Sequence, residues 1–323
     1  MDWSEKRVLV TGGAGFIGSH LVDALVEREA SVRVADDLSR GRLENLSDAL
    51  NEIEFEKRDL TKEENCLLVT KGMDLVFNLA ASVGGIHFIK EENVGGCIPS
   101  LLINAHMLEA ARKWSVERFL FTSSACVYRE RGLELNQFKE EDAYPANPLT
   151  TYGWAKLMGE ILCRSYYLDY GLKCSVVRIF NCYGPRENLN PKWSHVIPSL
   201  IRKAVLYPEE GFRVLGDGRQ ERAFLYVKDS VEGLLMAMER AEDADPINLG
   251  SEEVVSIAEL AERIIELSDK DIQVEYDLSG PQGTNRYCAD TDKMKNVLEW
   301  SPKVSLEEGL RETYEWVDKE LRG

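Results

Sequence analysis

Residues 7–18 constrain this chain more than any other segment: Arg7-Val-Leu-Val-Thr11, then Gly12-Gly13-Ala14-Gly15-Phe16-Ile17-Gly18. An apolar strand runs into a glycine-rich turn. The turn runs into a helical pattern with Phe16, Ile17, Leu21, Leu25 and Val26 on one face. A glycine run alone says little, because turns are glycine-rich anyway. Between strand and helix it lets the backbone approach a pyrophosphate, which then rests on the helix N-terminus. Gly12, Gly15, Phe16, Ile17 and Gly18 are therefore the expected dinucleotide cradle. A second strand over 31–35 ends at Asp36, whose carboxylate can accept from a ribose 2′-hydroxyl and repel a 2′-phosphate. NAD is expected over NADP; Arg40 and Arg42 are the residues that would hold a 2′-phosphate instead.

Strand and helix patterns alternate through the first 180 residues. Strands are expected at 7–11, 31–35, 52–57, 74–79, 117–122 and 172–179, and helices at 15–28, 61–70, 98–113 and 149–169. Near-continuous apolar strands such as Leu75-Val76-Phe77 and Phe119-Leu120-Phe121 suit a parallel sheet covered on both faces. The expected fold is α/β: a Rossmann-type doubly wound parallel sheet with a smaller mixed α/β C-terminal substrate lobe, ligands lying beyond the carboxyl ends of the strands. After Phe180 the loops lengthen and Pro185, Pro191, Pro198 and Pro208 interrupt the pattern. Helices are expected near 195–206, 228–240, 256–268 and 305–320, and short strands near 212–215, 222–227, 246–249 and 272–276. The division is 1–180 for the dinucleotide domain, completed by parts of 222–250, and 181–323 for the substrate lobe.

Composition excludes several classes. A formal net charge of −17 argues against a nucleic-acid partner. A small phosphorylated ligand needs only a local arginine cluster. No apolar run approaches the length of a membrane helix, and Asp2, Glu5, Lys6 and Arg7 do not read as a signal peptide. The seven cysteines form no C-x-x-C pair and are scattered through apolar segments, as expected of reduced thiols in a cytoplasm. No metal site is expected.

Tyr152-Gly-Trp-Ala-Lys156 places a phenol and an ammonium four apart, on one helix face. A free tyrosine with a pKa near ~10 is a poor base at neutral pH. A nearby lysine and a cationic nicotinamide ring would both favour the phenolate and make Tyr152 a general base. Ser123-Ser124 closes a strand, and Ser124 can hydrogen-bond the same substrate hydroxyl.

Together T-G-G-A-G-F-I-G, Asp36, Asn78-Leu79-Ala80-Ala81, Ser123-Ser124, Tyr152/Lys156, Arg178-Ile-Phe-Asn-Cys-Tyr-Gly-Pro185, Gly216-Asp217-Gly218-Arg219-Gln220-Glu221-Arg222-Ala223-Phe224 and Asn248-Leu249-Gly250 resemble the extended short-chain dehydrogenases/reductases, over essentially the whole chain. The resemblance implies a retained NAD, a nucleotide-diphosphate sugar as partner, and a homodimer. It places Asp59, Leu60, Leu79 and Ala80 around the cofactor, and Gly85, Asn181, Arg222 and Arg286 with Ser124 around the substrate. Arginine also suits a diphosphate on its own chemistry, through bidentate charge-assisted bonds.

Within the family, Ser124-Ala125-Cys126-Val127-Tyr128 and Trp193-Ser194-His195-Val196-Ile197-Pro198 resemble the sugar 3,5-epimerases of the GDP-mannose 3,5-epimerase and GDP-fucose synthase types, as does the stretch 81–86. That likeness implies Cys126 and His195 as an acid/base pair. Both side chains titrate close enough to neutrality to serve. The plant-type epimerases carry a lysine where this chain has His195-Val196, and the synthases use NADPH where Asp36 favours NAD. A 4-epimerase of the UDP-glucose/UDP-galactose type would need neither Cys126 nor His195. A net reductase and a non-enzymatic NAD sensor are further alternatives, the last disfavoured because Tyr152 and Lys156 both stand. His20, His87 and His106 read as structural.

Overall fold

Among the described residues seven parallel strands form one sheet, most of them from apolar runs. The computed structural model describes residues 1–82, 93–128, 137–191, 193–280 and 286–323. In chain order the strands are β1 (Arg7–Thr11), β2 (Ser31–Asp36), β3 (Ile53–Lys57), β4 (Leu75–Asn78), β5 (Arg118–Ser124), β6 (Lys173–Ile179), β7 (Cys182–Tyr183), β8 (Arg213–Leu215), β9 (Glu221–Ala223), β10 (Leu225–Tyr226), β11 (Ile247–Leu249), β12 (Val254–Ser256), β13 (Glu275–Asp277) and β14 (Arg286–Tyr287). The large sheet has the order β11-β6-β5-β4-β1-β2-β3. Helices Phe16–Val26 and Val227–Arg240 cover one face through Leu21, Leu25, Leu234 and Met238. Helices Glu63–Thr70, Asn93–Lys113 and Thr151–Tyr170 cover the other through Val69, Met107, Leu108 and Cys163. This is the expected doubly wound fold. Its strand order reverses between β1 and β4, so the Gly12 turn and Leu79-Ala80 flank the crevice where such sheets bind ligands.

The helix Thr151–Tyr170 is set by local signals at both ends. Thr150 Oγ1 accepts from Gly153 N–H at 3.2 Å, and Gly171 ends the helix in the left-handed region at φ +69°. In its middle, a Cβ on Gly159 would lie 2.5 Å from Phe121 Cζ, so only glycine permits this approach to β5. Glu160 follows and meets Arg178 of β6 inside the protein. Arg178 Nε and Nη2 donate to Glu160 Oε1 and Oε2 at 2.9 and 2.7 Å. Ser123 Oγ donates to Glu160 Oε1 at 2.5 Å, and Arg178 Nη1 donates to Tyr128 Oη at 2.9 Å. Tyr128 Oη in turn donates to Asn248 Oδ1 of β11 at 2.6 Å. One buried network thus ties β5, β6, β11 and this helix together.

Among the described residues the remaining strands form three small sheets: β10 with β7, β12-β9-β14, and β13 with β8. Helices Val196–Val205, Ile257–Ser268 and Leu306–Arg322 pack there through Ile201, Leu260, Ile264 and Leu310. Several elements differ from expectation. The strand expected over 222–227 is two strands, because β9 pairs with β12 and β14 whereas β10 pairs with β7. The strand expected over 272–276 begins at Glu275. The helix expected from 98 begins at Asn93 and carries Pro99 within it. Helix Asp292–Leu298 and the short strands β7, β12 and β14 were not anticipated. Ile247–Leu249 joins the large sheet beside β6. All seven cysteines are free. Among the described residues no helix is long and apolar enough to cross a membrane, and no group of three metal-ligating side chains gathers.

Replacing Arg178 by Met should leave the Glu160 carboxylate buried without its cation and cost ~3–5 kcal/mol of stability. Chemical denaturation of Arg178→Met against wild type measures this; a loss below about 1 kcal/mol would remove the network from the account of the fold.

Candidate active site

The glycine turn is shaped by contacts that exclude side chains. Gly12 has φ +68°, and a Cβ there would come within 3.0 Å of Ala80 N and Cα. A Cβ on Gly18 would lie 2.2 Å from Gly12 O. Gly15 caps the following helix without a side-chain bond, and the first backbone bond back runs from Ser19 N–H to Gly15 O at 3.0 Å. The N–H groups of Phe16, Ile17 and Gly18 therefore belong to the unpaired first turn, the positive end of the helix. Thr11 Oγ1 donates to Asn78 Oδ1 at 2.8 Å and accepts from Ala80 N–H at 3.1 Å, and Leu79 N–H donates to Thr11 O at 3.3 Å. These bonds hold Leu79 and Ala80 against the turn.

Asp36 ends β2 with its carboxylate buried. Oδ2 accepts from Ala14 N–H at 3.0 Å and Oδ1 from Leu38 N–H at 2.8 Å. Burial raises its pKa, and these two bonds oppose the rise. Each oxygen keeps a second lone pair for a ribose hydroxyl. Arg40 lies over the Trp193 ring, 4.1 Å from its centroid, and Arg42 pairs with Glu320 at 3.5 Å. Both guanidiniums are thus engaged elsewhere. Asp59 Oδ1 accepts from Thr61 N–H and Oγ1 at 2.9 and 2.6 Å, and Leu60 beside it is buried. A bare turn, an uncapped helix start and a carboxylate at the end of β2 fit a dinucleotide with a free 2′-hydroxyl.

At the end of β5 the chain makes a short turn over Ala125–Val127, in which Ser124 Oγ accepts from Cys126 N–H at 3.1 Å. Tyr152 packs there with Cys126 and Trp193. Lys156 Nζ donates to Thr122 O at 2.7 Å and lies 5.7 Å from the Tyr152 ring centroid. Ser124, Cys126, Tyr152 and Lys156 therefore gather at one point. Burial is the largest influence on all three titrating groups. It pushes the Tyr152 phenol far above its ordinary value, with the Cys126 charge adding to the rise and a Ser124 hydrogen bond opposing it. Burial also raises the Cys126 thiol, against Ser124 and Lys156. It lowers Lys156 to about 8, against Cys126 and Glu160. In the protein alone Tyr152 is a neutral phenol, so the lysine does not create the phenolate unaided.

The loop carrying His195 passes over this cluster, since Trp193 packs on Tyr152. His195 Nδ1 meets Glu187 Oε1 in a short contact. Burial lowers the imidazole pKa, but the charge and hydrogen bond of Glu187 more than offset this and raise it.

Arg222 and Arg286 sit on neighbouring parallel strands, with Tyr287 opposite Arg222 and Arg286 opposite Glu221. Paired residues share a face and successive residues alternate, so the two arginines leave this strand pair on opposite sides. Arg222 lies 5.8 Å from the Tyr287 ring centroid, whereas Arg286 Nε is 3.4 Å from Glu221 Oε2. Asn181, at φ +38°, donates from Nδ2 to Ala223 O at 2.9 Å. Gly85 and His87 lie outside the described residues. His20 Nε2 donates to Pro185 O at 3.0 Å, and burial lowers its pKa to about 4. Sequence reading missed Glu187, Trp193 as a contact of Tyr152, and Tyr287, whose hydroxyl donates to Ala125 O at 2.5 Å. Only for Glu187 was there a signal, an acid near a histidine in one loop.

The family model described as "NAD dependent epimerase/dehydratase family" matches residues 8–250. A GDP-mannose 3,5-epimerase of Oryza sativa subsp. japonica is 38% identical over 321 residues, covering 98% of this chain and 83% of the relative. A UDP-N-acetyl-alpha-D-glucosaminuronate decarboxylase of Bacillus cytotoxicus is 34% identical over 323 residues, covering 97% and 98%. The crystal structure of a UDP-glucose 4-epimerase from Thermotoga maritima with UDP-glucose superimposes with a TM-score of 0.88 at 31% identity, covering 98% and 100%.

Gly18→Ala should force helix and turn apart. The wild-type enzyme is expected to purify with absorbance of bound nicotinamide dinucleotide, and the variant with less than about a tenth of it while the sheet still forms. Equal cofactor content in both proteins, measured after acid release, would show that the turn does not hold it.

Proposed function

The chain belongs to the NAD-dependent epimerase/dehydratase family, enzymes that act on nucleotide sugars with NAD as cofactor, and from that premise we propose that it inverts C3 and C5 of a GDP-mannose-type sugar through a 4-keto intermediate. The observation that carries this reading is Cys126, packed on Tyr152 two residues past Ser124. The likeness to plant GDP-mannose 3,5-epimerases supports the choice of sugar.

NAD supplies a reversible hydride acceptor for C4. Gly12, Gly15, Phe16, Ile17 and Gly18 would hold its pyrophosphate, Asp36 its ribose, and Asp59, Leu60, Leu79 and Ala80 its flanks. Residues 1–180, completed by parts of 222–250, serve the cofactor, and the rest of 181–323 the nucleotide sugar. Tyr152 takes the proton of the C4 hydroxyl, and Ser124 hydrogen-bonds the same oxygen. Lys156, charged below about pH 8, would favour the phenolate, and a bound oxidised nicotinamide would supply further positive charge. A ketone at C4 makes the hydrogens on C3 and C5 acidic. Cys126 and His195 then work from opposite faces, one removing a proton and the other replacing it. Arg222, Asn181 and Arg286 are proposed contacts of the sugar and its diphosphate.

A homodimer belongs to the same reading. Val94, Ile98 and Leu102 on one helix and Trp154, Met158 and Ile161 on its neighbour are exposed at helical spacing, forming an apolar face. Ile98→Glu should convert a dimer into a monomer by sedimentation velocity; a monomeric wild type would remove this proposal.

Cys126→Ala tests the chemistry. It leaves Tyr152, Lys156, Ser124 and the cofactor turn in place. Incubated with GDP-mannose in deuterated water, the variant should still reduce its bound NAD, yet incorporate at least about a hundredfold less deuterium at C3 and C5. A 4-epimerase, the reading that the Thermotoga likeness favours, needs no such group and would lose at most a few-fold from a small packing defect. Full activity of the alanine variant on UDP-glucose would establish that alternative.

A further inference from the structure

Among the described residues one carboxylate is buried without an obvious structural duty. The side chain of Glu187 is only 3% exposed, and its Oε2 atom has no hydrogen-bond partner. Its Oε1 atom bonds Nδ1 of His195, a side chain that is itself 55% exposed. A buried ionised carboxylate is costly unless something pairs with it. Among the described residues of the loop nothing else does so. Arg186, the next residue back, pairs with Asp23 and Asp48, and Arg202 on the following helix pairs with Glu210. Burial drives the pKa of the nearby Cys182 thiol up, with the Glu187 charge adding a little, so it stays neutral. His195 occupies the N-cap position of helix Val196–Val205, yet its side chain caps no backbone N–H.

We propose that Glu187 is a positioning residue for His195, its carboxylate holding Nδ1–H so that Nε2 is the nitrogen that exchanges protons with the sugar. This rests on the acid/base role given to His195 above. The ring can accept only one proton at Nε2 while Nδ1–H stays bonded to Glu187, so the tautomer is decided before substrate arrives. When Nε2 takes a proton from carbon, the ring becomes an imidazolium and Glu187 balances its charge. When Nε2–H returns the proton to the opposite face of a second carbon, the neutral Nδ1–H tautomer is restored. Glu187 itself neither gains nor loses a proton. Without it, the positive end of the helix that begins at Val196 would disfavour the imidazolium. The upward shift of His195 agrees with the pairing.

The test uses the full-length enzyme with its own NAD, labelled with ¹⁵N-histidine. In the wild type, the His195 signals should show the Nδ1–H tautomer at high pH. In Glu187→Gln the titration midpoint should fall, and deuterium incorporation at C3 and C5 of GDP-mannose should drop by about tenfold or more. Reduction of bound NAD by the sugar should stay at the wild-type level, because C4 chemistry does not use this ring. An Nε2–H tautomer in the wild type overturns the proposal without any variant, so a Glu187→Gln protein that fails to fold does not shelter it. An unchanged midpoint with unchanged exchange in Glu187→Gln overturns it as well. His195→Asn separates the two ideas. If it exchanges deuterium like wild type, the role of His195 fails, whereas lost exchange in His195→Asn with full exchange in Glu187→Gln refutes Glu187 alone.

Discussion

The buried pair between Arg178 and Glu160 is the contact on which the active-site geometry rests. Arg178 belongs to β6, Glu160 to the helix that carries Tyr152 and Lys156, and Ser123 beside Ser124 bonds the same carboxylate. A purely apolar helix–sheet contact would let the helix slide or rotate by a fraction of a turn at little cost. A bidentate pair in a dry interior has one good geometry, and any misalignment leaves a charge unpaired. Gly159 adds the second restraint by bringing the helix down onto Phe121. Tyr152 lies two turns back along that helix, so its position over Ser124 and Cys126 follows from a contact remote from the chemistry.

Burial sets the resting state of the site. Tyr152 and Cys126 are held protonated, and Lys156 is close to losing its charge. His195 is the exception. It lies at an exposed edge, and a buried carboxylate favours its charged form.

The helix bounds show which signals were legible. Thr150 and Ser305 cap their helices as polar residues before apolar patterns do. The helix Asn93–Lys113 starts five residues before the expected 98, and its first turn holds Gly95 and Gly96, which have poor helix propensity. Pro99 lies in the interior of this helix and cannot donate the bond of its turn, and packing against the helices on either side outweighs that loss. The strand expected over 222–227 divides at Phe224 because its halves find different partners, which no local pattern encodes. Arg222 and Arg286 are both suited to a diphosphate by their chemistry. Their register on β9 and β14 turns them to opposite sides, a fact of pairing.

What the amino-acid sequence determined by itself was everything that depends on neighbours along the chain. The glycine turn between β1 and its helix, the alternation that builds a parallel sheet, Asp36 at a strand end, and the four-residue spacing of Tyr152 and Lys156 are all local. Tertiary structure alone decided which distant groups meet. Cys126 reaches Tyr152 only because β5 and the helix after Thr150 are neighbours, and Trp193 and His195 arrive on a loop from the other half of the chain. Glu187 acquires its partner only when that loop folds back on itself and buries the carboxylate. Desolvation is a property of the packed interior, so the protonation states of Tyr152, Cys126 and Lys156 could not be read from residue types and spacing.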